Sequence, residues 1–165
     1  MTPTSETLNA AWNAGPDAYI HALTDAYLDR IGGELTSDTI GLLSTDQLTL
    51  LAYRHLLDEV MEGGFIQLIQ NGYGPFVLDG PFAMMMKKHW GLKDFGNFIY
   101  DVHHEYNRHR DELEADLDEE QFMALYEQQD TMNEMGDTFL DDYQESVTPA
   151  IASYVREREA SFTLS

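Results

Sequence analysis

The stretch STDQLTLLAYRHLLDEVMEGG, residues 44–64, contains the clearest helical pattern in the chain. Ser44 followed three residues later by Gln47 is a capping box, in which two side chains satisfy the free backbone N–H groups that open a helix. Apolar residues then recur at helical spacing, at Leu48, Leu51, Leu56, Leu57 and Val60. The pair Gly63-Gly64 is a typical stop signal. The stretch therefore predicts one long amphipathic helix that ends at the glycine pair.

Helix signals of the same kind recur on both sides of this stretch. They predict helices over residues 5–14, 16–31, 65–70, 81–90, from 92 to an acidic block, 119–146 and 148–160. The only strand-like string is FVL at residues 76–78. No repeat, linker or change of composition marks a second domain. We expect an all-α protein: a single compact multi-helix domain over residues 1–165, with one strongly acidic face.

The charge balance limits the choice of partner. Nine Lys and Arg stand against 30 Asp and Glu, which gives a net charge of −21. A field of this sign repels nucleic acid and anionic membranes and attracts basic proteins or cations. We therefore expect no direct nucleic acid binding and no membrane binding.

Several functions are disfavoured by what the sequence lacks. The chain contains no Cys, which excludes disulfides, Cys-ligated zinc and thiol catalysis. It shows neither a signal peptide nor an apolar run of membrane-spanning length, so we expect it in the cytoplasm. It also lacks a nucleophile elbow, a P-loop and a dinucleotide fingerprint. We expect no enzymatic activity and no cofactor.

The acids are concentrated in residues 111–145, which we call the acidic segment. DELEADLDEE, residues 111–120, has seven carboxylates, and the next 25 residues add seven more with no Lys or Arg. Six of these acids are spaced by 3, 4, 3, 4 and 4 residues. On one continuous helix at ~100° per residue, they would fall within an arc of roughly 80°. We expect a solvent-facing stripe of carboxylates.

Such a stripe resembles a phosphate strand in its charge density. Six charges over about 27 Å of helix is one per ~4.5 Å, against one per ~3.4 Å along one strand of B-DNA. The stripe could therefore occupy the Lys, Arg and amide groups that hold phosphates in a DNA-binding protein. The phosphate-mimicking candidates are Asp111, Glu112, Glu114, Asp116, Asp118, Glu119, Glu120, Glu127, Asp130, Glu134, Asp137, Asp141, Asp142 and Glu145.

Other interpretations of the charged stretches remain open at this point. Charge runs often serve only solubility, and a large acidic excess also accompanies adaptation to high salt. DVHHEYNRH, residues 101–109, looks like a metal site, but the spacing of His104 and His109 splays their side chains by ~140° on a helix. The stretch from Asp116 lacks the glycine of a calcium loop. We expect no metal site.

A family resemblance comes from EVMEGGFIQLIQNGYG, residues 59–74. Taken alone, this string predicts that Phe65 enters the core and that Gln67 and Asn71 bond to backbone ends. Its combination of Glu59, Gly63-Gly64-Phe65, Gln67 and Asn71 resembles the bacterial family named after the nineteen-kilodalton DNA-mimic protein. The resemblance covers about residues 44–145. Glu62 stands where many members carry Asn, so this chain is more acidic than the family pattern.

The resemblance implies a function without catalysis. It implies a homodimer that displays a duplex-like negative surface and occupies the DNA-binding site of a helix-turn-helix transcription regulator. Such a protein competes with operator DNA and acts as an antirepressor. The alternative is an acidic adaptor or chaperone-like module for another basic protein, such as a nucleoid or ribosomal protein, without geometric mimicry.

Overall fold

A computed structural model of the chain describes residues 2–164. These residues form ten α-helices and contain no strand, which confirms the all-α prediction. The helices are α1 Ser5–Ala14, α2 Pro16–Ile31, α3 Thr45–Gln70, α4 Phe82–Met84, α5 Lys93–Arg108, α6 Arg110–Glu114, α7 Glu119–Gln128, α8 Asp130–Thr138, α9 Gln144–Glu157 and α10 Glu159–Phe162.

The bounds of α1 and α2 match the prediction, and the capping box that opens α3 is formed. The Ser44 N–H donates to Gln47 Oε1 at 2.9 Å, and the Gln47 N–H donates to Ser44 Oγ at 3.1 Å. These two bonds satisfy donors that the first turn of the helix leaves free.

The glycine pair interrupts α3 as predicted. Gly63 has φ −150° and ψ 16°, and Gly64 has φ 76° and ψ −174°, so neither has helical geometry. A positive φ is accessible to Gly at little steric cost. The helical conformation resumes at Phe65, which is fully buried, and the chain leaves the kink in a new direction.

Three π-helical turns lie where the sequence predicted something else. The first, Pro75–Asp79, contains the FVL string, which therefore forms a helical turn and not a strand. The second, Met85–His89, follows α4 and replaces the plain helix expected through the methionine run. The third, Phe139–Tyr143, joins α8 to α9. Such turns bond each N–H five residues back, which gives them no residue signature of their own.

The last long helix begins earlier than predicted. Thr148-Pro149 was expected to start it, but α9 begins at Gln144 and runs through Pro149. Tertiary contacts favour this course: Thr148 is 1% exposed, and its hydroxyl lies 2.6 Å from the Tyr53 hydroxyl. Local sequence preference is weaker than such packing.

The chain divides into two compact units. One contains the described residues up to Arg54 and those from Thr148 onward, and its core includes Tyr19, Tyr27, Leu50, Ile151 and Phe162. The other is His55–Val147, and its core includes Phe65, Phe82, Phe95, Met132 and Phe139. Within the described residues, no helix combines the length and apolarity needed to cross a bilayer. The organisation of residues 1–165 as one domain stays a prediction.

Candidate functional site

The acidic segment lies wholly within the second unit. Its fourteen acids, the phosphate-mimicking candidates, are all exposed. Buried side chains from the same segment hold it to the core, namely Leu113, Leu125, Met132 and Phe139. The segment is therefore a folded layer with its carboxylates in solvent. The role of these acids as partner contacts stays a prediction.

The first part of the acidic segment, α6 and the turn after it, is fixed by bonds to its backbone. Gln70 Nε2 donates to the carbonyl oxygens of Leu113 and Ala115, at 2.5 and 3.1 Å. The Tyr106 hydroxyl donates to the Glu114 carboxylate. Burial and this carboxylate both raise the pKa of Tyr106, so the phenol stays protonated as the donor.

Arg110, which immediately precedes the acidic segment, belongs to a cluster with Asp79 and His103. Arg110 binds Asp79 through two bonds, Nη2–Oδ1 at 2.6 Å and Nη1–Oδ2 at 2.8 Å, and its guanidinium lies 4.1 Å from the centre of the Tyr106 ring. His103 Nε2 lies 2.9 Å from Asp79 Oδ1. The bond from Arg110 is the main cause that lowers the pKa of Asp79, with His103 adding to it. Arg110, the last basic residue before the segment in the sequence, is therefore already paired within the fold.

Helix α7 opens with a capping box. The Gln121 N–H donates to Asp118 Oδ1 at 2.8 Å, and the Asp118 N–H donates to Gln121 Oε1 at 3.1 Å. Asp118 is therefore both an exposed carboxylate and a structural cap. Carboxylates in the first turn also interact favourably with the helix dipole, and Glu119 and Glu120 occupy that turn.

The acidic helix expected over residues 119–146 is broken. Gln129, with φ −103° and ψ 60°, separates α7 from α8, and the π-helical turn Phe139–Tyr143 follows α8. Gln129 is buried, and its Nε2 donates to Glu112 Oε2 at 2.9 Å. Asn133 Nδ2 donates to the Tyr126 carbonyl at 2.6 Å. These bonds stabilise the break between the two helices. Because the helix is not continuous, the prediction that six acids lie on one arc is wrong.

The predicted stripe survives within α8. Asp130, Glu134 and Asp137 fall within ~60° of one another at ~100° per residue. The opposite side of α8 is buried through Met132 and Gly136. Three carboxylates therefore share one exposed face of a short helix whose other face is packed.

The glycine kink of α3 supports the acidic segment. The Tyr126 hydroxyl donates to the Gly63 carbonyl, which the kink leaves outside regular helix. A Cβ on Gly136 would lie 3.6 Å from Gly64 Cα and 3.9 Å from Phe65 N, so α8 passes close to the kink. The kink thus receives one contact from α7 and one from α8.

The polar residues around the kink bind differently from the sequence expectation. Gln67 and Asn71 were expected to bond to backbone ends, but both donate to the Glu59 carboxylate. Gln67 Nε2 lies 2.5 Å from Glu59 Oε2, and Asn71 Nδ2 lies 3.2 Å from both oxygens. A carboxylate accepts from two amides at once, so Glu59 joins the helical pieces on either side of the kink. Only the joint spacing of Glu59, Gln67 and Asn71 could have signalled this cluster.

Two histidines of the stretch 101–109 lie next to carboxylates. His103 pairs with Asp79, whereas His109 Nε2 lies 3.6 Å from Glu105 Oε2. Across residues 2–164, no three His, Cys, Asp or Glu side chains are grouped so as to hold a metal ion.

Comparison with known proteins bears on the same region. The model of the DMP19-like protein family matches residues 41–158, which includes the glycine kink and the whole acidic segment. A protein of Neisseria meningitidis serogroup B, named DNA mimic protein DMP19, is 34% identical over 94 residues. That alignment covers 53% of this chain and 56% of the relative, so it spans about half the length of each. The family match covers well over half of the chain, and the chain therefore belongs to the DMP19-like protein family.

Proposed function

We propose that this protein is a DNA mimic that binds the DNA-binding surface of a helix-turn-helix transcription regulator. One observation carries the proposal: fourteen exposed carboxylates follow one another from 111 to 145 without a Lys or Arg. The family and the name of its relative from Neisseria meningitidis support a DNA-binding protein as the partner. By competing with operator DNA, the protein would act as an antirepressor.

The physical basis of the competition is replacement of phosphates by carboxylates. A regulator holds DNA by Lys, Arg, backbone N–H groups and helix N-termini, most of which contact phosphate oxygens. Carboxylates accept the same charge-assisted hydrogen bonds. In α8, three carboxylates lie along about 10 Å of helix, roughly one per 5 Å, which approaches the phosphate spacing along a DNA strand.

The geometry of the partner motivates two further parts of the proposal. Helix-turn-helix regulators are usually dimers that read half-sites about one turn apart, so a two-fold homodimer of this protein could engage both halves. The regulator acts on DNA in the cytoplasm, and we place the mimic there. The proposal assigns the protein no catalytic role and no cofactor.

The test is a pull-down from a lysate of the source cells with the full chain as bait. Bound proteins are eluted by a salt gradient, with and without excess duplex DNA as competitor. A matched bait carries Asp137→Lys and Asp141→Lys. A second bait carries Glu34→Lys and Asp38→Lys, which reverse two exposed acids outside the acidic segment at the same spacing. Asp25 would be a poorer control because it pairs with Arg54 at 2.7 Å.

The proposal expects one helix-turn-helix protein, which elutes at moderate salt, is displaced by the duplex DNA competitor and is lost from the first variant bait only. Many basic proteins that elute together at low salt, with equal losses for both variants, would instead identify an acidic adaptor. Recovery of no DNA-binding protein would end the proposal.

A further inference from the structure

The acidic segment exposes one apolar side chain among its polar ones. Eighteen of its residues are exposed: fourteen acids, Gln121, Gln128, Thr131 and Met123. Met123 is 59% exposed, more than any other large hydrophobic residue in the described part of the chain. Single exposed apolar residues are ordinary on protein surfaces, so the position of this one decides its meaning.

Met123 lies in the middle of the acidic face of α7. Glu119 precedes it by four residues and Glu127 follows it by four, so at ~100° per residue each carboxylate lies ~40° to one side of it. Leu125, the buried residue of α7, lies ~160° away. Met123 therefore lies on the side of α7 that faces away from the core. An apolar group on this face is surrounded by charges that a basic partner would neutralise.

We infer that Met123 is the apolar anchor of the regulator contact. Its occupant would be the apolar spot on the DNA-reading surface of a helix-turn-helix regulator that otherwise contacts a thymine methyl group. This inference rests on the proposed function. Regulators read thymine through such methyl contacts, which carboxylates cannot imitate. Methionine ends in a methyl group on a flexible, polarisable chain that adapts to irregular apolar surfaces.

Under this inference, the charged side chains control association with the partner, and the apolar side chain controls dissociation. Exposed charges mainly raise the association rate and make it salt-dependent. Desolvated apolar contacts near the centre of an interface mainly slow dissociation. The carboxylates would thus bring many basic proteins to the surface, and Met123 would retain those with a matching apolar spot.

The test uses the heparin-binding fraction of a lysate of the source cells as the probe, because heparin enriches DNA-binding proteins. The complex with the full chain is isolated by size exclusion and treated with hydrogen peroxide, which converts exposed Met to its sulfoxide. Mass spectrometry compares the oxidation rate of Met123 with that of Met61, which is 52% exposed and lies outside the acidic segment. In the complex, oxidation of Met123 should slow at least about fivefold and that of Met61 less than twofold, since an anchor is fully desolvated.

A second measurement compares variants of the chain. A Met123→Gln protein should lose the captured proteins about tenfold faster in a wash at constant salt, as expected for an anchor residue. A Leu42→Gln protein, altered at a side chain 47% exposed in the other unit, should behave as the wild type.

The outcomes separate the inference from the proposed function. A complex in which Met123 oxidises as fast as in the free protein, or in which both methionines are protected equally, overturns the inference and leaves the mimic proposal standing. An unchanged wash rate for Met123→Gln overturns it as well. If no DNA-binding protein is captured, both fail.

Discussion

The acidic segment uses carboxylates differently from the rest of the chain. Outside it, several carboxylates are paired with arginine: Asp25 with Arg54 at 2.7 Å, Asp79 with Arg110 at 2.6 Å, and Glu159 with Arg156 at 2.9 Å. Within the segment, Glu112 alone among the described acids comes as close as 4.0 Å to a basic nitrogen, that of His109. These ion pairs join side chains within the fold, whereas nearly all the described acids of the segment lack a basic partner.

The strongest test of this contrast reverses two charges in the acidic segment. Asp137→Lys with Asp141→Lys should weaken binding to the regulator recovered by pull-down at least about 100-fold, because like charges brought together at an interface cost several kcal/mol. Isothermal titration calorimetry measures the affinity, and urea denaturation should show stability within about 1 kcal/mol of wild type.

The matched control for that test is Glu34→Lys with Asp38→Lys, which leaves the segment intact. An equal loss of affinity in the control would mean that total charge, rather than the acidic segment, determines binding.

The second test concerns the support beneath the acidic segment. A Cβ on Gly63 would lie 2.1 Å from Gln67 Oε1 and 2.9 Å from Gln67 Cβ, so Gly63→Ala must disturb the Glu59 cluster. We expect a loss of about 2 kcal/mol in the free energy of unfolding, measured by urea denaturation. Gly136→Ala is the control, because its Cβ would meet Gly64 Cα at an ordinary 3.6 Å. Equal stabilities of the two variants would contradict this account of the kink.

The third test removes a paired acid next to the segment. Asp79→Asn should lower the free energy of unfolding at pH 7 by about 1 kcal/mol, since a partly exposed pair is screened by solvent. Arg110 keeps the pKa of Asp79 below its ordinary 3.8, so the stabilisation is present above that pH and is lost as pH falls through the native pKa. Urea denaturation at pH 7 and pH 3 should show a smaller difference from wild type at pH 3. A constant difference would exclude the ion pair as its cause.

The smallest expected effect has the opposite sign. Asp130 and Glu134 are like charges four residues apart on α8, and such pairs cost ~0.2–0.5 kcal/mol. Glu134→Gln should therefore raise the free energy of unfolding by about 0.3 kcal/mol, and salt should reduce the gain. Thermal unfolding at low and high salt measures it. Destabilisation would mean that Glu134 contributes to the fold.

Much of the helical architecture was predictable because its signals are local. Caps and stops such as Ser44, Asp118 and Gly63-Gly64 act through neighbouring backbone groups, which the sequence displays directly. The break at Gln129 was not predictable, since Gln favours helix and the break depends on distant side chains. The π-helical turns likewise carry no residue signature.

The charge of the candidate site was predictable from the sequence, but the course of the backbone through it was not. The run of acids without cations is visible in the sequence, and all fourteen are exposed. Their geometry depends on the break, the π-helical turn and the bonds from Tyr126 and Gln70, which join residues 63 and 45 positions apart in the chain. Periodicity within one helix contains no information about such contacts.

The absence of Lys and Arg from the acidic segment also has a chemical consequence. Trypsin cleaves after these residues, and none lies between Arg110 and Arg156. Even complete digestion would therefore release residues 111–156 as one peptide. Enzymes and reagents that acylate lysine would have no target there. The surface by which this protein would imitate DNA is closed to lysine modification, so any covalent control of that surface must act on other side chains.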